Sequence, residues 1–422
     1  MLKVGIIGGG AAGMMTAVLC SNGQTEVHVF EKNEKLGKKL FITGKGRCNV
    51  TNSCATDEFF TNVVSNAKFL YSSIYDFDSS QVMEWMEKIG VPLKVERGNR
   101  VFPVSDHSSD IIRAMEKEMR RRGVKIHLNR KVKRILAESG TIHGIQMENG
   151  TIASFDVIVV ATGGMSYPST GSDGDGYRFA RECGHSVTQL RPALVPLVVE
   201  EDYIKELQGL SLKNAEMKIA DGKKILYEGF GELLFTHFGI SGPLGLSASS
   251  VIGKKLSEHP LTGWINLKPA LTEKQLDARI LREFEEGKNK QFRNVIHSLF
   301  PSKLIPVMQR ISGIDPEKQV NAISKGERLA FEEKIRKFPF TVTGTREFSE
   351  AIITQGGVAV KEISPATMES KKVRNLYFVG EILDVDALTG GFNLQIAWST
   401  AHTAAKNILN VNIRSEEEPY EL

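Results

Sequence analysis

Short apolar runs and one glycine turn organise the start of the chain. Val4, Ile6 and Ile7 form a strand-like run, and Gly8-Gly9-Gly10-Ala11-Ala12-Gly13 follows. Ala11, Met14, Ala17, Val18 and Leu19 then recur at helical spacing. A second strand-like run, Val27 to Phe30, ends in Glu31. This order of strand, glycine turn, helix, strand and acid predicts a βαβ unit that binds a dinucleotide. Gly8 permits the tight turn, Gly10 lets backbone approach a pyrophosphate, and Gly13 lets the helix pack closely on the sheet. The N–H groups that open the helix, at Ala11 and Ala12, face the phosphates. Glu31 stands where a carboxylate accepts hydrogen bonds from the adenosine ribose.

The rest of the chain alternates between textures. A glycine- and lysine-rich loop spans Lys38 to Asn52, and helical patterns follow at Ser65–Tyr75, Ser80–Ile89 and Ser108–Arg122. Short strands are expected at Val124–Leu128, Lys131–Leu136 and Ile142–Met147, with an Asn149-Gly150 hairpin turn before the next. Asp156 to Ala161 is apolar almost throughout, as suits a parallel strand buried on both faces. From about Arg191 the pattern turns β-rich, with pieces at Leu194–Val199, Ala215–Ile219, Lys224–Tyr227, Leu233–Thr236 and Gly263–Leu267. Helices broken by Pro301, Pro306 and Pro316 fill Thr272 to Lys337, and Phe340–Thr343 returns to strand. Leu376 to Gly380 reads as another buried strand and Leu394 to Leu409 as an amphipathic helix. The two ends of the chain therefore read as one domain carrying a large insertion.

Composition changes this picture little. A chain of 422 residues with 41% hydrophobic and 25% charged content fits a globular protein of more than one domain. Apolar stretches are too short to span a membrane, and the first strand starts at once without a leader pattern, so a cytoplasmic protein is expected. The four cysteines, Cys20, Cys48, Cys54 and Cys183, read as reduced thiols, and no Cys/His spacing suits a metal. Net charge is only +4, but ten Lys or Arg stand against two Glu between Ile112 and Arg134. That excess serves either a solvated helix face and strand edge or an anionic partner such as RNA.

The far end of the chain decides which dinucleotide. Val379-Gly380-Glu381 closes a strand, Asp384 and Asp386 follow, and Thr389-Gly390-Gly391-Phe392-Asn393-Leu394-Gln395 opens a helix. An extended FAD needs such a distant second contact: an acid for its ribityl or phosphate-linking region and a helix N-terminus for its ring. Ala161-Thr162-Gly163-Gly164 fits a strand end that brings backbone against the cofactor in between.

The run from Lys38 to Asn52, with Gly44-Lys45-Gly46-Arg47-Cys48-Asn49 at its centre, resembles the signature loop of the HI0933-like flavoproteins. That family includes aminoacetone-oxidase-like and BaiN/RdsA-type NAD(P)/FAD-dependent oxidoreductases. Arg97–Pro103, Phe235–Pro243, Thr354–Val358 and Gly380–Gln395 extend the resemblance over nearly the whole chain. It implies an α/β protein with a Rossmann-like FAD-binding domain of the two-dinucleotide-binding-domain type, carrying a β-barrel-like lobe and a helical lobe. The boundaries expected are 1–190 with 345–422, 191–270 with 338–345, and 271–337. It further implies FAD contacts from Glu31, Lys32, Lys39, Gly46, Arg47, Asn49, Asn52, Val132, Gly380, Asp386 and Gly391–Leu394, with Cys48 in the same loop. Glu381 stands where Asp is common in flavoproteins, which could shift that contact to Asp384 or Asp386.

Candidates for the chemistry are few. Arg47 could neutralise a pyrophosphate or a reduced flavin. His237, in a Gly/Ser/Pro loop, could donate a proton or bind a substrate carbonyl, and Arg100 could bind an anionic substrate or a nicotinamide phosphate. Each also has a plain structural reading. Cys48 and Cys54 are one residue too far apart for a flavin-linked dithiol. The cluster Gly171–Gly176 reads as a turn, since Asp173 and Asp175 repel phosphate. The function expected is FAD-dependent oxidoreduction: hydride from NAD(P)H, as a transient donor, passes through flavin N5 to an unidentified acceptor. That acceptor is a small molecule or, by the resemblance, a uridine of 23S ribosomal RNA. Oxidation of a small amine such as aminoacetone and a non-enzymatic flavin sensor are the alternatives.

Overall fold

A computed structural model of the chain describes residues 1–417. Two compact units divide it, one formed by Met1–Pro192 with the chain from Phe348 onward, the other by Ala193–Glu347.

The first unit is built on a five-stranded parallel sheet in the order Leu376–Phe378, Val157–Val160, Leu2–Ile7, Thr25–Phe30, Lys125–His127. Val157–Val160 lies inside the sheet with all four residues buried, as a continuous apolar strand requires. The first helix, Ala11–Cys20, packs against the terminal helix, Phe392–Glu417. The terminal helix buries Ile396, Trp398, Ala401 and Ala405. The basic Ser108–Arg121 helix turns Ile111, Met115 and Met119 inward, so its charges stay on the outer face. Several of those charges are matched locally: Arg120 pairs with Glu116, Arg121 and Arg122 pair with Glu118, and Lys125 pairs with Glu26. The Asn149-Gly150 turn joins two antiparallel strands, Thr141–Met147 and Ile152–Ser154.

Two local readings change. The helix expected from Ser65 begins as a strand, Val63–Ser65, and becomes helical only after Asn66, whose φ of 55° breaks the run. Within the Lys38–Asn52 loop, Lys38–Ile42 forms a short helix and Thr43–Gly46 a tight turn.

The second unit is a closed six-stranded barrel. Its order is Leu197–Val199, Gly239–Ser241, Lys224–Thr236, Ser211–Asp221, Leu261–Asn266, Phe338–Thr345. Alternation along Ser211–Asp221 buries Ala215, Met217 and Ile219 and turns Glu216 and Lys218 outward. Lys224–Tyr227 and Leu233–Thr236, read as separate pieces, are one strand. The Gly229-Phe230-Gly231 interruption still pairs with Ser211–Asp221 through irregular register. Helices Glu273–Glu286, Leu304–Ser312 and Lys325–Arg336 share one hydrophobic core with the barrel. Pro306 lies in the first turn of its helix, where a missing N–H costs nothing.

Candidate cofactor cleft

A cleft of about 1340 Å³, counting its open mouth, lies in the first unit at the C-terminal ends of the parallel strands. Fourteen of the expected contact residues line it. Gly8, Gly10, Ala11 and Ala12 come from the glycine turn, and Glu31 and Lys32 follow the second strand. Lys39, Val132, Ala161, Thr162 and Gly163 form the middle, and Glu381, Asn393 and Leu394 come from the far end.

The three glycines of the turn play separable parts. Gly8 has a φ of 107°, and a Cβ there would lie 2.4 Å from the Ala161 oxygen. A Cβ on Gly13 would lie 1.9 Å from the Gly8 oxygen, so helix and turn touch only because no side chain intervenes. A Cβ on Gly10 would meet nothing within 4 Å. The space in front of Gly10 is therefore kept clear on the cleft side and not by internal packing. Gly10 also caps the first helix without a side-chain hydrogen bond, and that helix has no acid in its first turn. Open N–H donors at the positive end of a ten-residue helix face the clearing. Thr162 Oγ1, on the same cleft, is buried with no hydrogen-bond partner among the described residues. These features fit the diphosphate of a dinucleotide.

The acids of the cleft are already in use. Glu31 accepts from Gly9 N–H at 2.8 Å, from Asn33 N–H at 2.9 Å and from Asn33 Nδ2 at 2.7 Å, so it holds the glycine turn as well as facing the cleft. Glu381 pairs with Lys39 Nζ at 2.6 Å and accepts from Thr354 N–H at 2.9 Å and Ser166 Oγ at 3.1 Å. Its carboxylate is thus tied into a network with Lys39 in the cleft. Lys32 pairs with Asp173 at 2.5 Å and Asp175 at 3.2 Å, which neutralises the carboxylates of the second glycine cluster. Asn393 accepts from Ala387 N–H at 3.0 Å and donates to the Ala387 oxygen at 2.7 Å, fixing the entry to the terminal helix.

Other expected residues stand behind the lining. Asn52 Nδ2 donates to the Gly98 and Gly390 oxygens at 3.0 Å each, tying the signature loop to the far end of the chain. A Cβ on Gly391 would lie 2.4 Å from Thr51 backbone, and one on Gly380 would lie 2.9 Å from Ala12 Cβ. Both glycines therefore serve close approach, and Phe392 packs edge-on against Phe59. Asn49 keeps a buried Oδ1 with no partner among the described residues, and Gly46 turns the loop with a φ of 86°. Asp386 is 1% exposed. Burial pushes its carboxyl up to about 6 against opposing hydrogen bonds from the Ser65 and Gln355 side chains; Gln355 Nε2 donates to Oδ2 at 3.1 Å, and Oδ1 has no partner among the described residues.

The proposed catalytic side chains are not brought together on the cleft lining. Arg47 is held by Glu96 at 2.5 Å and Asp106 at 2.5 Å, with its guanidinium 4.2 Å from the Phe102 ring centre. Those two carboxylates occupy the charge expected to face a pyrophosphate. Arg100 is exposed and donates to the Arg97 oxygen at 3.0 Å. His237 lies in the second unit, exposed on the turn between two barrel strands and edge-on to Phe238. Sequence reasoning missed Lys131, Ile353, Val385 and Ala397 as lining residues. Apolar positions of that kind carry no chemical signal, and Lys131 was hidden in the basic run.

Cys48 in the signature loop and Cys54 just beyond it are buried and free, and burial pushes Cys48 up to about 12. Neither is poised as a thiolate. Cys48→Ser and Cys54→Ser are each expected to retain full turnover, and in the native chain these two thiols should react with a disulfide reagent at neutral pH only as it unfolds. Rapid labelling of two thiols in the folded chain would contradict this.

The fold and cleft define a Rossmann-like FAD-binding architecture. Over residues 2–407 the chain matches the HI0933-like protein Rossmann domain, and it belongs to that family of FAD-dependent oxidoreductases. It is 30% identical over 410 residues to a 3-dehydro-bile acid delta(4,6)-reductase of Clostridium scindens, covering 96% of this chain and 98% of the relative. It is also 30% identical over 407 residues to a ribosomal RNA dihydrouridine synthase of Haemophilus influenzae, covering 96% and 97%. Among solved structures, 3-ketosteroid delta1-dehydrogenase from Sterolibacterium denitrificans superposes with a TM-score of 0.54 at 12% identity, covering 97% of this chain and 100% of that one. That likeness concerns the fold. Among the described residues no helix is long and apolar enough to cross a membrane.

Proposed function

We propose that the chain holds FAD in this cleft and uses it to reduce a carbon–carbon double bond conjugated to a carbonyl, with NAD(P)H as electron donor. The observation that carries the reading is the clearing before Gly10, which faces the uncapped start of the first helix. FAD would supply hydride transfer at N5. The chain's own part is to bind and shield. The helix N–H groups hold the diphosphate, the Glu31 end takes the adenosine, and Lys39 with Glu381 brackets the middle of the cofactor. Residues 1–190 and 345–422 form the FAD-binding domain in this reading. The inserted barrel, with the helices that share its core, carries acceptor specificity in this reading.

The choice of acceptor rests on the two relatives. One relative is by name a delta(4,6)-reductase of a 3-dehydro-bile acid and the other a dihydrouridine synthase, and in both names the double bonds reduced are conjugated with a ring carbonyl, each taking two electrons and two protons. The RNA relative favours a second reading in which the double bond is that of an rRNA uracil. RNA binding that weakens steeply with salt supports that reading, and binding indifferent to salt counts against it.

The test is an anaerobic titration of the FAD-loaded protein with NADH and then NADPH, following the oxidised-flavin absorbance. Bleaching within the mixing time is expected with one of the two. A flavin that stays yellow with both removes the nicotinamide half-reaction. Peroxide formed from aminoacetone alone would then assign an amine oxidase, and a flavin that no donor reduces would assign a sensor.

A further inference from the structure

The barrel unit carries a second cleft, of about 1600 Å³ counting its open mouth, on the outer face of its strands. Outer faces of small barrels are ordinarily polar, yet here Phe230 is 63% exposed and lines the cleft with Leu267, Pro269 and Leu271. Glu216 and Glu228 line the cleft too, Glu216 opposite Phe230 in the sheet and Glu228 opposite Lys218, which stands just outside the lining. Lys218 pairs with both carboxylates, at 3.2 Å and 2.9 Å, so their charge is largely matched.

Lys268 also lines the cleft, and its ammonium has no ion-pair partner among the described residues. It sits on the turn after Leu261–Asn266, half-buried, where Asn266 Oδ1 accepts from its backbone N–H at 3.0 Å. Burial, and after it the Arg279 guanidinium, lower its pKa. Arg279 is itself committed to Glu283 at 2.7 Å. A half-buried ammonium pushed by a neighbouring cation gains most from an anion that enters from the cleft.

We propose that this cleft binds a small anionic amphiphile, with its carboxylate or sulfonate on Lys268 and its apolar body across Phe230, Pro269 and Leu271. The site is separate from the cofactor cleft and does not depend on the FAD reading. Calorimetric titration of the FAD-loaded full chain with octanoate tests it, with octan-1-ol keeping the tail and acetate keeping the head. Octanoate is expected to bind at one site per chain, with octan-1-ol weaker by about tenfold, the worth of one charge-assisted hydrogen bond, and acetate weaker by more than about tenfold because it forfeits the apolar contact. Lys268→Gln should weaken octanoate about tenfold and leave octan-1-ol unchanged. Lys268→Arg should retain octanoate, which also shows that the turn folds without the lysine. Phe230→Ala should weaken octanoate and octan-1-ol together. No octanoate heat, equal binding by Lys268→Gln, or an octanoate-induced change in the flavin spectrum would each overturn the proposal.

Discussion

Gly10→Ala is expected to leave folding intact and to weaken FAD binding roughly thirtyfold, whereas Gly13→Ala should damage both. The two positions lie three residues apart in one turn, and the difference between them comes from what a methyl group would meet. At Gly13 it meets the Gly8 oxygen at 1.9 Å, a rigid backbone atom. The helix must then leave the turn, at about 3 kcal/mol or more of stability. At Gly10 the backbone is extended, with φ of −82° that any residue adopts, and nothing within 4 Å opposes a methyl group. Melting of Gly10→Ala should therefore stay within about 1 kcal/mol of the parent. The added methyl fills the space where a diphosphate would approach the helix N–H groups. Losing one such charge-assisted hydrogen bond is worth about 2 kcal/mol, or roughly thirtyfold in affinity. Thermal unfolding and bound-FAD content, measured on both variants, check the pair. A Gly10→Ala protein that retains FAD with parent affinity would show that the clearing is not the diphosphate site.

This contrast also marks what was legible in the sequence. Periodicity located the parallel strands and the first helix because burial on a sheet imposes it, as in Val157–Val160. The glycine turn was legible because two close approaches and one clearing within six residues admit little else. Charge partners were not legible, because they depend on residues far apart in the chain. Arg47 reads as a phosphate ligand until Glu96 and Asp106 are seen on it, 49 and 59 residues away. Glu381 reads as a free carboxylate until Lys39 arrives from 342 residues away. Gly380 and Gly391 were singled out as cofactor contacts, and the structure adds a packing duty against Ala12 and Thr51. Short strands such as Gly239–Ser241 carry too few residues to show a period, so the barrel's closure had to come from pairing.

Asp386 carries the second large expectation, because a buried carboxyl with one idle oxygen makes stability depend on pH. In the unfolded chain it titrates at its ordinary value of 3.8, and in the fold burial moves it to about 6, with the nearby Asp384 adding to the shift. Below 3.8 both states hold the proton. Between 3.8 and about 6 the unfolded chain has lost it and the folded chain keeps it, so stability falls steadily as pH rises through that window. Above the window the folded state bears a buried charge, at a cost of about 3 kcal/mol for a shift near two units. Asp386→Asn removes the charge and keeps an oxygen for the Gln355 Nε2 donor. The variant should therefore unfold several degrees above the parent at pH 8. That advantage should shrink through pH 5 and vanish near pH 4. The measurement is a set of melting curves across that range on FAD-loaded parent and variant, with FAD content determined beside each. Parallel curves for the two proteins would mean that Asp386 is solvated or paired in a way that the buried, partnerless Oδ1 denies. A variant that gains stability while releasing FAD would instead place the charge of Asp386 in the service of the cofactor, since a carboxylate kept at such cost must find its hydrogen-bond donor on the ligand.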